Sequence, residues 1–292
     1  MVGEFAEHWG SRLSFLDLHY HANPDAYSRR CSVAEAGREY QRLGGGVALR
    51  SHLGCTCAAA EVAQSIGLPV FGSVSLNAIA GGITVGVVHR SLCHYQTRRS
   101  GRLIVDFPTV VPSEHRSKLV RKYANRAVET FGMQPARISH DGGGLLPTVE
   151  ELIELAQSEA LVLSTGHATR MEVDQLIDLC AKRGRVRLLL NQPANPITGM
   201  TASQLKALGK HDWLYVEQTA LTVALGYQTE ADLFDVLQNV HNVVYSSDFG
   251  QQSQPGVDEW WASSKTWFQR AQLSPGRIAD ISLANPLRLL AP

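Results

Sequence analysis

Short runs of β-forming apolar residues alternate along the chain with stretches whose apolar positions recur at helical spacing. The strand-like runs are SFLDLHYH (14–21), GVALRSH (46–52), PVFGSVSLN (69–77), RLIVDFPT (102–109), ALVLSTGH (160–167), VRLLLNQP (186–193), WLYVEQT (213–219) and NVVYSSD (242–248). Helical patterns lie between them at 32–43, 57–67, 112–131, 169–184, 201–210 and 230–240. ARISHDGGGLLPT, residues 136–148, reads instead as a small hairpin inserted before the fifth unit. Eight strands with intervening helices predict an α/β fold of the (β/α)8 TIM-barrel type. An open doubly wound sheet would carry a glycine-rich phosphate turn after its first strand, and none follows residue 21. No Pro/Ser-rich linker interrupts the pattern, so residues 1–292 are read as one barrel domain.

Charge narrows the partners. Twenty-seven basic and 27 acidic residues cancel, leaving no bulk field for nucleic acid or an anionic membrane, so the expected partner is a small molecule. Self-association into a homo-oligomer stays open. The five cysteines form no CxxC pair and no zinc-finger spacing, which fits reduced thiols in cytoplasm. Cys55 and Cys57 open a small-residue helical pattern, where packing explains them better than ligation. The start MVGEFAEHWGSRL lacks a cleavable apolar region, and no apolar run approaches the ~20 residues of a bilayer span, so a soluble, cytoplasmic protein is expected.

The chemistry gathers at strand ends. Strict alternation on the first strand would turn Asp17, His19 and His21 to one face. In a barrel the active site lies at the C-terminal ends of the strands. There the sequence places His19 and His21 on the first strand, His52 on the second, His167 on the fifth, Glu217 on the seventh and Asp248 on the eighth. Four of eleven histidines and two carboxylates at one rim form a metal-ligand set, and six ligands predict a dinuclear centre. Asp17 is a candidate to orient one histidine. Glu172 has capping-box spacing from Thr169 and is set aside. His140 belongs to the inserted hairpin.

HxH on the first strand, histidine on the fifth, aspartate on the eighth and a closing NPLRLL resemble the amidohydrolase superfamily of metal-dependent TIM barrels over essentially the whole chain. The resemblance implies a metal centre held by His19, His21, His167 and Asp248. Many dinuclear members bridge their metals with a carbamylated lysine or a glutamate on the fourth strand. All six lysines here fall away from strand ends, while His52 and Glu217 add ligands. RSHLGCT, SLNAIAGG and the pairing of STGH with VEQT are more similar to a divergent branch. That branch includes the TIM-barrel nonheme diiron monooxygenase of platensimycin and platencin diterpenoid biosynthesis, with coenzyme A-linked substrates among its relatives.

Further residues suggest a substrate pocket. Arg29 and Arg30, in the first βα loop, could grip a phosphate or carboxylate, with a surface pair as the plainer use. Trp260 and Trp261 could wall an apolar pocket over Asp248 or pack the last helix on the barrel. Asn191 and Gln192 end the sixth strand as amides that could meet a substrate oxygen or a metal.

The expected function is therefore a diiron monooxygenase hydroxylating an apolar, acyl-CoA-linked, terpenoid-like substrate. It would use two iron ions, with zinc or manganese as alternatives, dioxygen as co-substrate and an external electron donor. Asp248 and Glu217 would take the catalytic roles. The alternative is a metal-dependent hydrolase of an amide, lactone or ester, with Asp248 as proton shuttle.

Overall fold

The computed structural model describes residues 2–112, 117–184 and 186–292. Nine short strands occur among them: β1 (Phe15–His21), β2 (Gly45–Arg50), β3 (Val70–Phe71), β4 (Ser73–Ser75), β5 (Leu103–Asp106), β6 (Leu161–Ser164), β7 (Leu188–Leu190), β8 (Leu214–Thr219) and β9 (Val243–Ser246). β3 and β4 are two halves of the third predicted strand. They part at Gly72, where a Cβ would lie 2.8 Å from the Cα of Cys57. All pairings are parallel, β1-β2-β3 in one sheet and β4 through β9 in order in the other. The third strand belongs to both sheets. At the other seam Asp248 N donates to His19 O at 2.8 Å and His21 N to Phe249 O at 2.9 Å. Eight strand positions thus run round a TIM barrel.

Two apolar layers hold it. Inside, Leu16, Leu18, Ala48, Phe71, Ile104, Val162, Leu189, Tyr215 and Val244 supply buried residues from the strands around the ring. Phe5 and Trp9 of the helix Val2–Gly10, with Leu287, Leu289 and Leu290, close the floor; Trp9 meets Phe71 edge-on at 4.9 Å. Outside, the helices pack on the opposite strand faces. Each fully buried large apolar side chain contributes about 1.5–3 kcal/mol.

β1 departs from simple alternation. Its register with β2 runs Asp17 to Val47 and then Tyr20 to Leu49, so one extra residue bulges. Asp17 builds the bulge: its Oδ1 accepts the backbone N–H of His19 at 2.9 Å and of Ser247 at 3.1 Å, and its Oδ2 accepts the Tyr40 hydroxyl. The expectation that Asp17 shares a face with the two histidines is thereby corrected. Asp17 points toward Tyr40 of the helix Val33–Arg42, while His19 and His21 turn into the barrel mouth. Asp17 fixes a backbone and orients no imidazole ring.

The helix expected over 112–131 is also corrected. Residues 113–116 lie outside the described residues, and the only helix in the remainder is Arg126–Phe131. Residues 117–124 instead form a strap over the mouth. Lys122 O accepts from Ser28 N and Ala26 O from Ala124 N, both at 2.9 Å, while Lys118 Nζ donates to Leu225 O at 2.6 Å. These bonds to two separate loops replace the i to i−4 ladder. The inserted segment is a tight hairpin closed by an antiparallel Ser139–Leu145 bridge. Glu172 caps its helix at Thr169, as its spacing predicted. No helix among the described residues is long and apolar enough to cross a membrane.

Candidate metal centre

The strand ends open into one cavity, lined among others by His19, His21, His52, His167, Asn191, Gln192 and Asp248. Its sharpest feature is a point of convergence. Oδ1 of Asp248 lies 3.2 Å from Nε2 of His19 and 3.4 Å from Nε2 of His21. Three ligand atoms from β1 and the end of β9 therefore meet within the reach of one cation. Tight packing sets this geometry: a Cβ on Gly250 would lie 1.9 Å from the carbonyl oxygen of His21, so only glycine lets this loop close over β1.

Carboxylates stand behind both rings. Glu217, fully buried, places Oε2 3.2 Å from Nδ1 of His19 and accepts from Asn191 Nδ2 at 2.8 Å. Asp25, in the loop after β1, places Oδ2 3.7 Å from Nδ1 of His21 and 3.4 Å from Nδ1 of His52. Glu217 on Nδ1 of His19 directs the ring's Nε2 toward a metal and makes it a better donor, whereas Asp25 stands beyond hydrogen-bond reach of His21. Glu217, expected as a ligand, stands in this structure on the Nδ1 side of His19.

A second group, His21, Asp25 and His52, is also close enough to hold an ion. Its carboxylate is already engaged. Asp25 Oδ1 accepts from Ser51 Oγ at 2.9 Å and His52 N at 2.7 Å, and Oδ2 takes Arg29 Nε at 2.7 Å. The Arg29 guanidinium also lies 3.3 Å from His52 Nδ1. A cation placed there would face a fixed positive charge.

Charge in the first group suits a cation. Burial works to lower the pKa of His19, but the Asp248 and Glu217 carboxylates outweigh it and raise the group to about 9. A buried and a partly buried carboxylate thus call for positive charge between them, and a divalent ion meets the same demand. Burial and then the Arg29 guanidinium hold His21 well below its usual value, so it stands as the neutral imidazole a metal needs. Burial and then His52 bring His167 to about 4. Oε1 of Glu217 and Nδ1 of His21 are buried without a hydrogen-bond partner.

The remaining candidates separate clearly. His52 stacks on His21 with ring centroids 4.9 Å apart, and His167 lines the same cavity without joining either compact group. Gln192 donates to Asp248 Oδ2, and both residues hold left-handed backbone, at φ 44° and 54°. Arg29 is buried on Asp25, and Arg30 donates to the carbonyls of Gln252 and Gln254 at the surface; neither lines the cavity. Trp261 stacks on Phe15 at 3.9 Å, and Trp260 lies among Phe15, Tyr40 and Tyr245. That is helix-to-barrel packing, outside the cavity lining. Exposed His140 does not line it either.

Sequence reasoning missed Asp25, Arg121 and the pair Arg50–Asp106. Arg50 ends β2 and Asp106 ends β5, and they meet at 2.5 Å, both 2% exposed. The strand-end rule points to them as directly as to the histidines. Asp106 stands on the fourth strand of the barrel, where a bridging group would be sought, and a guanidinium neutralises it.

Several solved structures share this fold. The probable dipeptidase PvdM from Pseudomonas aeruginosa is 14% identical over 99% of this chain and 98% of its own, with a TM-score of 0.55. A mutant organophosphorus hydrolase from Deinococcus radiodurans is 13% identical over 94% and 92%, with a TM-score of 0.51. An enzyme engineered for organophosphate hydrolysis from a weak promiscuous lactonase template is 12% identical over 94% of each chain, with a TM-score of 0.52. At such identities the likeness extends to the fold alone. No curated protein matches the sequence. The family described as a family of unknown function, DUF6282, matches residues 14–217, which include four of the candidate histidines and Glu217, and the chain belongs to it.

Proposed function

We propose that this chain is a metal-dependent hydrolase of an amide, lactone or ester, working with one divalent cation on His19, His21 and Asp248. One observation carries the reading: both Nε2 atoms and a single Asp248 oxygen converge at 3.2 and 3.4 Å on the edge of a cavity. Three protein ligands facing open space make the arrangement of a hydrolytic centre, which keeps a position for water. A divalent ion held there would supply a lowered pKa for water and polarisation of a carbonyl. Glu217 fixes the His19 ring. Asp248, with Oδ2 tied to Gln192, is placed to take a proton from water through its carboxylate and return it to a leaving group. His167, held neutral, offers a second acceptor in the cavity.

The diiron reading draws less support. Asp25 is saturated by four donor contacts, and Asp106 is paired with Arg50, so neither is free to serve a second ion. The fold neighbours named for hydrolysis lean the same way.

Elemental analysis should find about one divalent ion per chain, as a single open centre requires. Turnover of an ester or lactone panel in H₂¹⁸O should label the product, without air. Label from ¹⁸O₂ with two irons per chain would overturn the proposal.

A further inference from the structure

Two guanidiniums in the cavity have donors with no acceptor. Arg50 spends Nη1 on Asp106 and Nε on the carbonyl of Leu18 at 2.9 Å, while its buried Nη2 has no partner. Arg121 hangs from the strap, its guanidinium carbon 5.0 Å from the Tyr27 ring centroid, and its buried Nε is likewise unpartnered. Among the described residues no carboxylate pairs with Arg121. Both arginines line the cavity.

We propose that Arg121 and Arg50 form a subsite for an oxyanion, so that the substrate carries a carboxylate or phosphate group besides the bond that is cleaved. A guanidinium presents a planar fork of donors that matches two oxygens of such a group, and leaving those donors unmet in a buried wall is costly. Charge agrees. Among the described residues two carboxylates line the cavity: Asp106 is neutralised by Arg50, and Asp248 faces His19 and His21. A cation on the three ligands would leave the cavity positive, with Arg121 uncompensated by any described acid. Position agrees too. The strap holding Arg121 is stapled to the loop after β1 at Ser28 and Ala26 and to the segment after β8 at Leu225, so its charge is fixed over the mouth. Stacking on Tyr27 restrains the guanidinium further.

The substrate half of this inference rests on the hydrolase reading; the binding half does not. The test therefore begins without turnover, by calorimetric titration of the full-length protein with inorganic phosphate. Arg121→Gln should weaken phosphate by about tenfold or more, the loss of a charge-assisted pair, and Arg121→Lys by less. His21→Ala, which dismantles the ligand set, should leave phosphate affinity within about threefold. Phosphate binding that survives Arg121→Gln but vanishes in His21→Ala would place the anion on the metal ligands and overturn the proposal, as would no binding to the wild type. In kinetics, Arg121→Gln should raise KM about tenfold for an ester bearing a free carboxylate and leave that of its neutral analogue unchanged. Equal effects on both would overturn the substrate assignment. Absence of hydrolysis altogether would strike the hydrolase reading and leave the phosphate result standing.

Discussion

Glu217 lies behind His19: its Oε2 is 3.2 Å from the ring's Nδ1, while the ring's Nε2 is 3.2 Å from Asp248. The carboxylate therefore acts on the metal position through the imidazole. Glu217→Gln keeps the shape but removes the charge that makes Nε2 a stronger donor. It should weaken metal binding about 10–100-fold, read by competition with a chromogenic chelator, with far-UV circular dichroism unchanged. If Glu217 were itself a ligand, metal would be lost as completely as in His19→Ala.

Asp25 makes the opposite kind of prediction. With Arg29 on one oxygen and Ser51 and His52 on the other, it is a buried tie between two loops. Asp25→Ala would leave the Arg29 charge buried and unpaired, so thermal or urea unfolding should show a loss of about 3–5 kcal/mol. The metal content of whatever stays folded should remain about one ion per chain, because the His19–His21–Asp248 group is intact. A chain that loses one of two ions without losing stability would restore Asp25 as a ligand.

Much of this site can be read in the sequence because strand-end position is a local property. His19, His21, Asp248 and His167 follow from counting strands and looking at their ends. What could not be read depends on distant contacts. The bulge in β1 exists because Asp17 accepts an N–H from Ser247, 230 residues away, and nothing in FLDLHYH announces it. Residue type does not tell a carboxylate that binds a metal from one that binds the back of a histidine, so Glu217 and Asp248 looked alike. The local pattern over 117–124 allows a helix, and only the loops at Ala26 and Leu225 hold the segment otherwise.

Cys55 should be the reactive thiol. The neighbouring Cys57 thiol outweighs its partial burial and brings its pKa to about 5, while Cys57 is buried. At pH 6 a thiol with such a pKa is largely thiolate, whereas an ordinary one near pKa ~8.5 is under about one per cent ionised. Iodoacetamide at pH 6, followed by peptide mass spectrometry, should modify Cys55 well ahead of Cys93, the other exposed thiol. Cys57→Ala should slow Cys55 at pH 6 more than at pH 9, since only below the raised pKa is thiolate lost. Equal rates at Cys55 and Cys93 would refute the influence of Cys57.

The last prediction concerns strain beside the ligand set. Gln192 and Asp248 both hold left-handed backbone, and they are joined through the Gln192 amide and Asp248 Oδ2. A non-glycine residue in that region costs about 1–3 kcal/mol and persists where its surroundings over-determine it. Here the beneficiary is the Asp248 carboxylate, which must present Oδ1 to two imidazoles at once. Gln192→Gly removes the backbone penalty and the amide donor together. The gain in backbone ease and glycine's greater chain entropy should nearly cancel, leaving stability within about 1 kcal/mol of the parent. Turnover should fall, because Asp248 is then free to rotate away from the geometry in which it can accept a proton. Gln192→Ala keeps the strain and loses the donor, so it should be the less stable variant while losing similar activity. Urea unfolding beside kcat for both variants checks this. A glycine variant with full activity would mean that packing of the β9 loop, anchored at Gly250, holds Asp248 without help.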